Sequence, residues 1–225
     1  MQNIDKKLLF IANWKSNKTS EQAVDWLQVL KKNLSKVKLE NKTIVVCPSF
    51  LSIPAASLYI KANDLPITVG AQDISGFESG AYTGEVSARQ VKEFCEYVII
   101  GHSERRKYNH ENDQDVHNKA EMAKTRNLKT IVCVQNEGVL VPKDSDFVAY
   151  EPVFAIGSGN ADTPESITTV FSEINNNTGK TKLLYGGSVN AKNLESFLQI
   201  PYLSGFLIGS ASLDPDAFIN LLSKC

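Results

Sequence analysis

The stretch Ala149-Tyr150-Glu151-Pro152-Val153-Phe154-Ala155-Ile156-Gly157-Ser158-Gly159 decides how the chain is read. Phe147-Val148-Ala149-Tyr150 is an apolar, aromatic run of strand length. It stops at a carboxylate, Glu151, followed by Pro152, which cannot continue a central strand. Beyond the proline comes an apolar tip, Ala155-Ile156, closed by Gly157-Ser158-Gly159. An exposed apolar loop is costly in water unless it can lie down over something, which is how a lid behaves. A base at a strand end beneath such a loop points to proton abstraction shielded from water. Taken alone, Glu151 is better explained as a strand-end carboxylate before an ordinary loop.

Working outward, seven more short apolar runs recur: 8–12, 43–47, 67–71, 97–100, 130–134, 182–185 and 203–208. Helical patterns stand between most of them. Thr19 with Gln22 forms a capping box ahead of Ala23, Leu27, Leu30 and Leu34 at helical spacing. Ser87 with Gln90 repeats the device, and a helix is predicted over 53–62. Another covers 113–125, with Val116, Ala120 and Ala123 inward. Thr163-Pro164 and Asp214-Pro215 are N-cap and first-turn pairs, and Asn190 is read as a further cap. Strands that alternate with helices pair in parallel, and continuous apolar runs suit burial on both faces. Eight such units in 225 residues fit a closed (β/α)8 barrel, occupying residues 1–225 as a single domain. One unit is short. Residues 135–146 separate the fifth strand from the sixth, and a crossover needs about 10–12 residues even with a minimal helix. A loop or one helical turn is predicted over the 138–146 crossover in place of a full helix.

Composition narrows the function. A net charge of -1 and 42% hydrophobic residues describe an ordinary soluble globule, with no basic patch to hold nucleic acid and no apolar run that spans a bilayer. Met1 to Lys7 lead straight into a strand, with no apolar signal region. The cysteines at 47, 95, 133 and 225 lack metal-type spacing, so reduced thiols and a cytoplasmic location are expected. No G-x-G-x-x-G follows the first strand, which argues against a dinucleotide site.

In a barrel of this kind the carboxyl ends of the strands share one mouth, where the loops build the active site. Asn13, Lys15, His102, Glu104, Glu151, Ser188 and Ser210 all fall at those ends. Strand alternation puts Asn13 and Lys15 on one side and Trp14 on the other. Each residue alone has a plain structural explanation: a rim charge, a helix-start histidine, a first-turn carboxylate favoured by the helix dipole. Their convergence from strands one, four and six is harder to dismiss. Gly157, the Gly186-Gly187-Ser188 turn and Gly209-Ser210 place free backbone amides after strands six, seven and eight, where barrels of this class commonly bind phosphate.

Asn13-Trp14-Lys15, Gly101-His102-Ser103-Glu104-Arg105-Arg106, Tyr150-Glu151-Pro152-Val153, Ala155-Ile156-Gly157 and Tyr185-Gly186-Gly187-Ser188-Val189 resemble the triosephosphate isomerase family. Gly70-Ala71-Gln72-Asp73 and Gly80-Ala81-Tyr82-Thr83-Gly84-Glu85 do so too, and the match runs in the family's order from residue 8 to 213. The resemblance implies a TIM barrel that interconverts dihydroxyacetone phosphate and D-glyceraldehyde 3-phosphate in glycolysis and gluconeogenesis. It implies the roles long assigned in that family: Glu151 as base, a neutral His102 as electrophile and Lys15 as the fixed positive charge. Asn13 and Glu104 would support them, with Glu104 paired to Lys15 or Arg105. Asn13, Lys15, Gly157, Ser188, Gly209 and Ser210 would bind substrate, with closure of the 152–160 lid excluding water. No metal and no cofactor are expected. Loop 72–85, with Thr83 near its tip, would enter a second copy and make a homodimer. Four departures from the family's usual residues stand out: Phe154 for Trp, Asn160 after Gly159, Ser210 for a second glycine, and Gln135-Asn136 for Gly-Glu. Two other readings remain. A sugar-phosphate epimerase type of barrel would carry metal ligands or paired acids at the mouth, and a non-catalytic barrel would lack one of Lys15, His102 or Glu151.

Overall fold

A computed structural model describes residues 7–155 and 159–225. Eight parallel strands close into a barrel in chain order: β1 (Leu8–Asn13), β2 (Lys42–Cys47), β3 (Ile67–Ala71), β4 (Tyr97–Ile100), β5 (Lys129–Val134), β6 (Phe147–Tyr150), β7 (Leu183–Tyr185) and β8 (Leu203–Ile208). The seam is closed by β1 against β8, with Phe10 opposite Phe206 and Ala12 opposite Ile208.

The period-2 alternation of each strand divides its side chains between two apolar layers. Leu9, Ile11, Val45, Ile99, Ile131 and Ala149 belong to one cluster, which fills the barrel interior. Phe10, Ala12, Ile44, Val98, Val132 and Val148 belong to the other, packed beneath the outer helices. Both faces are dry, which is why the strands read as unbroken apolar runs.

The helices are α1 (Ser20–Asn33), α2 (Ile53–Ala62), α3 (Ala88–Lys92), α4 (Ser103–Tyr108), α5 (Asp113–Thr125), α6 (Pro164–Thr178), α7 (Leu194–Phe197) and α8 (Pro215–Leu222). Thr19, Ser87 and Asn112 each cap their helix in a reciprocal box, satisfying amides that the first turn leaves unpaired. Val116, Ala120 and Ala123 of α5 are buried as its spacing requires. Asn190 behaves differently from the reading as a cap. Its Oδ1 accepts from the Lys192 amide at 2.9 Å, and its own amide donates to Asn193 Oδ1 at 2.9 Å. The side chain closes a local turn and delays the helix to Leu194, a competition typical of asparagine.

Between β5 and β6 no helix forms among the described residues. Val139 and Val141 pack against the outer core while Leu140 is exposed. The crossover is held by polar anchors instead. Asp146 Oδ2 accepts from the Thr130 amide at 2.9 Å, and Thr130 Oγ1 accepts from the Asp146 amide at 2.9 Å. Lys180 Nζ donates to the carbonyls of Lys143, at 2.5 Å, and Ser145, at 2.7 Å. These bonds tie the loop to the sheet at a point where no amphipathic helix covers it. Cys47, Cys95 and Cys133 are buried free thiols, and Cys225 is free and exposed.

Candidate active site

Asn13, the last residue of β1, continues the inward series of Leu9 and Ile11. Trp14 turns outward and is buried edge-on against Trp26 at 4.8 Å between ring centroids. Lys15 does not follow from pleating alone, because its backbone lies in the left-handed region at φ 52°. For a lysine that conformation costs about 1–3 kcal/mol and needs outside support. Its amide donates to Asn13 Oδ1 at 3.2 Å. Gln72 Nε2 donates to the Lys15 carbonyl at 2.8 Å and to the Cys47 carbonyl at 2.9 Å. Lys15 Nζ meets Glu104 Oε1 at 2.6 Å; of the two expected partners for Glu104, Lys15 is the one it pairs with. Gln72 was not among the expected site residues. Nothing local in the sequence signals a bond that joins residues so far apart in the chain.

His102 is the N-cap of α4 and is buried. Its Nδ1 accepts from the Glu104 amide at 3.1 Å, and its Nε2 lies 3.0 Å from Glu151 Oε1. Glu151, directly after β6, is buried, and its Oε2 accepts from the Ser103 amide at 3.4 Å. Burial alone pushes this carboxyl up, but His102, the Ser103 amide and the Cys133 thiol more than offset it and hold Glu151 below the usual carboxylate value. Burial likewise opposes an imidazolium at His102, while the Glu151 and Glu104 carboxylates outweigh it and raise the ring's value. The Nδ1 contact works the other way, since only an unprotonated nitrogen accepts an amide hydrogen bond. Above its raised value the ring is therefore the neutral Nε2–H tautomer, donating to Glu151.

Asn13, Lys15, His102, Glu151, Ser188, Gly209 and Ser210 line one cavity of about 260 Å³. Gly157 lies outside the described residues, as do Ile156 and Ser158 of the expected lid. Val153 and Phe154, at the start of that loop, are exposed. Ser188 sits at φ 54°, and its hydroxyl donates to the Ala155 carbonyl. Leu207 and Val189 also line the cavity; strand alternation along β8 would have found Leu207. Gly186 was quoted as part of a turn but not as a site residue. A Cβ there would come within 2.9 Å of Glu151 Cγ, closer than real contacts allow, so the missing side chain is the space the Glu151 side chain occupies. Among the described residues no group of three His, Cys, Asp or Glu could hold a metal ion.

The Lys15 amine, the His102 imidazole and the Glu151 carboxyl thus face one small cavity that ends in glycine and serine turns. Compared with known proteins, residues 8–225 match the family model described as triosephosphate isomerase. The chain belongs to the triosephosphate isomerase family. It is 34% identical to the triosephosphate isomerase of Aquifex aeolicus, over 95% of this chain and 98% of that protein. It is 37% identical to that of Wolbachia pipientis wMel, over 96% and 93% of the two chains. The Thermus thermophilus triosephosphate isomerase is 34% identical over 96% of this chain and 98% of its own. The family's (β/α)8 barrel is the closed parallel barrel described above, with the unit between β5 and β6 reduced to a loop.

Proposed function

We propose that this isomerase interconverts dihydroxyacetone phosphate and D-glyceraldehyde 3-phosphate with Glu151, His102 and Lys15 as its chemical groups. The observation that carries this is the facing of His102 Nε2 and Glu151 Oε1 at 3.0 Å in a cavity that Lys15 also lines. Glu151 takes the proton from the hydroxyl-bearing carbon beside the ketone and returns it to the former carbonyl carbon. His102 donates from Nε2 to the carbonyl oxygen and moves protons between the two enediolate oxygens. A substrate between His102 and Glu151 separates the ring from the carboxylate that raises its value, which favours the neutral electrophile. Lys15 stabilises the enediolate and phosphate charge, Asn13 hydrogen-bonds nearby, and Glu104 orients the ammonium. Ser188, Gly209 and Ser210 receive the phosphate. A carboxylate, an imidazole and an ammonium suffice for this chemistry, so no metal or organic cofactor enters the scheme.

We further propose that residues 1–225 act as one barrel domain, in the cytoplasm, and that loop 72–85 pairs two copies. Phe77 and Tyr82 support the pairing. Their rings stack at 4.2 Å with 4° between planes, and both remain about half exposed on the loop. No helix among the described residues is long and apolar enough to cross a membrane.

An assay that couples isomerisation to a dehydrogenase, run without added metal, tests the reaction; absence of turnover by the purified chain would refute it. Phosphoglycolate, an enediolate mimic, should stabilise the fold by about 2.7 kcal/mol at a hundred times its Kd. A melting temperature unmoved by it would favour the non-catalytic barrel.

A further inference from the structure

Arg106 reaches back over the turn that presents the catalytic histidine. It lies on α4, one turn beyond His102, and its side chain is largely buried. Nε donates to the Gly101 carbonyl at 3.2 Å, and Nη1 donates to Asp113 Oδ1, at the start of α5, at 2.8 Å. Nη2 is buried with no hydrogen-bond partner. A guanidinium with an orphaned buried donor is a poor choice for stability alone, because leaving such a group unpaired is costly. Gly101 itself is at φ 70°, and a Cβ there would meet Val116 Cγ2 at 2.8 Å. The turn is thus squeezed between α5 and the arginine. It breaks the inward series of Tyr97 and Ile99, so that His102 rather than Gly101 carries the side chain into the cavity.

We infer that Arg106 is a positioning residue for His102: by holding the Gly101 carbonyl, it sets the peptide from which the imidazole projects toward Glu151. The planar fork is what lets one side chain hold a backbone carbonyl and a carboxylate together; a lysine ammonium has no such fixed geometry. The Arg106 side chain does not line the cavity; its main-chain amide donates to the His102 carbonyl at 3.1 Å, a bond that substitution of the side chain leaves in place, so the guanidinium acts through the Gly101 turn. The catalytic consequence rests on the reading of His102 as electrophile; the structural part does not.

The test uses Arg106→Gln, with Arg106→Lys as the conservative variant and Asp113→Ala as the control. Asp113→Ala removes the ion pair between α4 and α5 but leaves the Gly101 contact. A base or acid displaced by about 1 Å can lose on the order of a hundredfold in rate. The partial release here is expected to lower kcat about tenfold in Arg106→Gln with KM within about threefold, and Arg106→Lys is expected to fall between it and wild type. Asp113→Ala should lower the melting temperature and keep wild-type kcat. Imidazole ¹⁵N resonances supply a readout independent of activity. His110 and His117 are exposed and serve as internal references, so only the His102 signals should move in Arg106→Gln. Unmoved His102 resonances, an unchanged kcat, or an equal loss of kcat in Asp113→Ala would each overturn the inference. If Arg106→Gln fails to fold, the same readouts on Arg106→Lys decide it. An inactive wild type whose His102 resonances still respond would sink the electrophile reading alone.

Discussion

His102 Nε2 stands 3.0 Å from Glu151 Oε1, and both side chains are buried. The two groups proposed to exchange protons with substrate are in contact with each other, each fixed from behind by an α4 amide: Glu104 for the ring and Ser103 for the carboxylate. Replacing Glu151 by Gln keeps the shape and one acceptor but removes the base. General base catalysis contributes on the order of 10²–10⁴-fold, and a loss of kcat of at least that size is expected in the coupled assay. Activity within tenfold of wild type would show that another group takes the proton.

The same contact sets a pH signature on stability. The Glu151 value is lowered in the folded protein from an ordinary 4.5, so its contribution is present above pH 4.5 and is lost as pH falls through the folded value. The His102 value is raised from 6.5, so its contribution is full below pH 6.5 and is lost as pH rises through the folded value. The melting-temperature advantage of wild type over Glu151→Gln should therefore be greatest between about pH 4.5 and 6.5 and shrink on either side. An advantage that stays constant up to pH 9 would mean that the Glu104 amide at Nδ1 keeps the ring neutral throughout.

Gly186 is expected to tolerate no side chain. A Cβ within 2.9 Å of Glu151 Cγ must push the carboxylate aside, because the strand end behind it is held by the bond from the Gly186 amide to the Tyr150 carbonyl at 2.8 Å. Gly186→Ala should lower kcat by on the order of a hundredfold while the far-ultraviolet dichroism of the fold is retained. A wild-type kcat would show that the base has room to spare.

The shortened unit makes a separate prediction, about stability and not chemistry. Asp146→Ala leaves the buried Thr130 without its carboxylate partner. The expected loss is about 1–3 kcal/mol by urea denaturation, with kcat per folded molecule unchanged. A variant as stable as wild type would mean that Val139 and Val141 alone cover β5 and β6.

Much of the barrel was legible because burial on both faces leaves an unmistakable pattern. The runs 67–71, 97–100 and 147–150 are strands with those same bounds, each stopped by a glycine, a proline or an isolated polar residue. The absence of a full helix between β5 and β6 was legible from the length of 135–146, a constraint of chain geometry. Asn190 was misread as a cap because asparagine favours a helix start and a free-standing turn through the same side-chain bond, and only neighbouring packing chooses between them. Asn13 could be placed by alternation. So could the side of Lys15, which lines the cavity with Asn13; its left-handed backbone could not, since such a lysine has no sequence signal and depends on Gln72, directly after β3.

The order of apolar runs, caps and strand-end polar residues determined by itself that eight parallel units close on one another, and which side chains share the mouth. These are local properties: period, chain length and turn chemistry act between near neighbours. The contact of His102 with Glu151, the strained Lys15 backbone and the space left by Gly186 were decided only by the closed barrel. Each depends on atoms from distant segments meeting within hydrogen-bond or van der Waals distance, and spacing along a chain does not encode separations of that size.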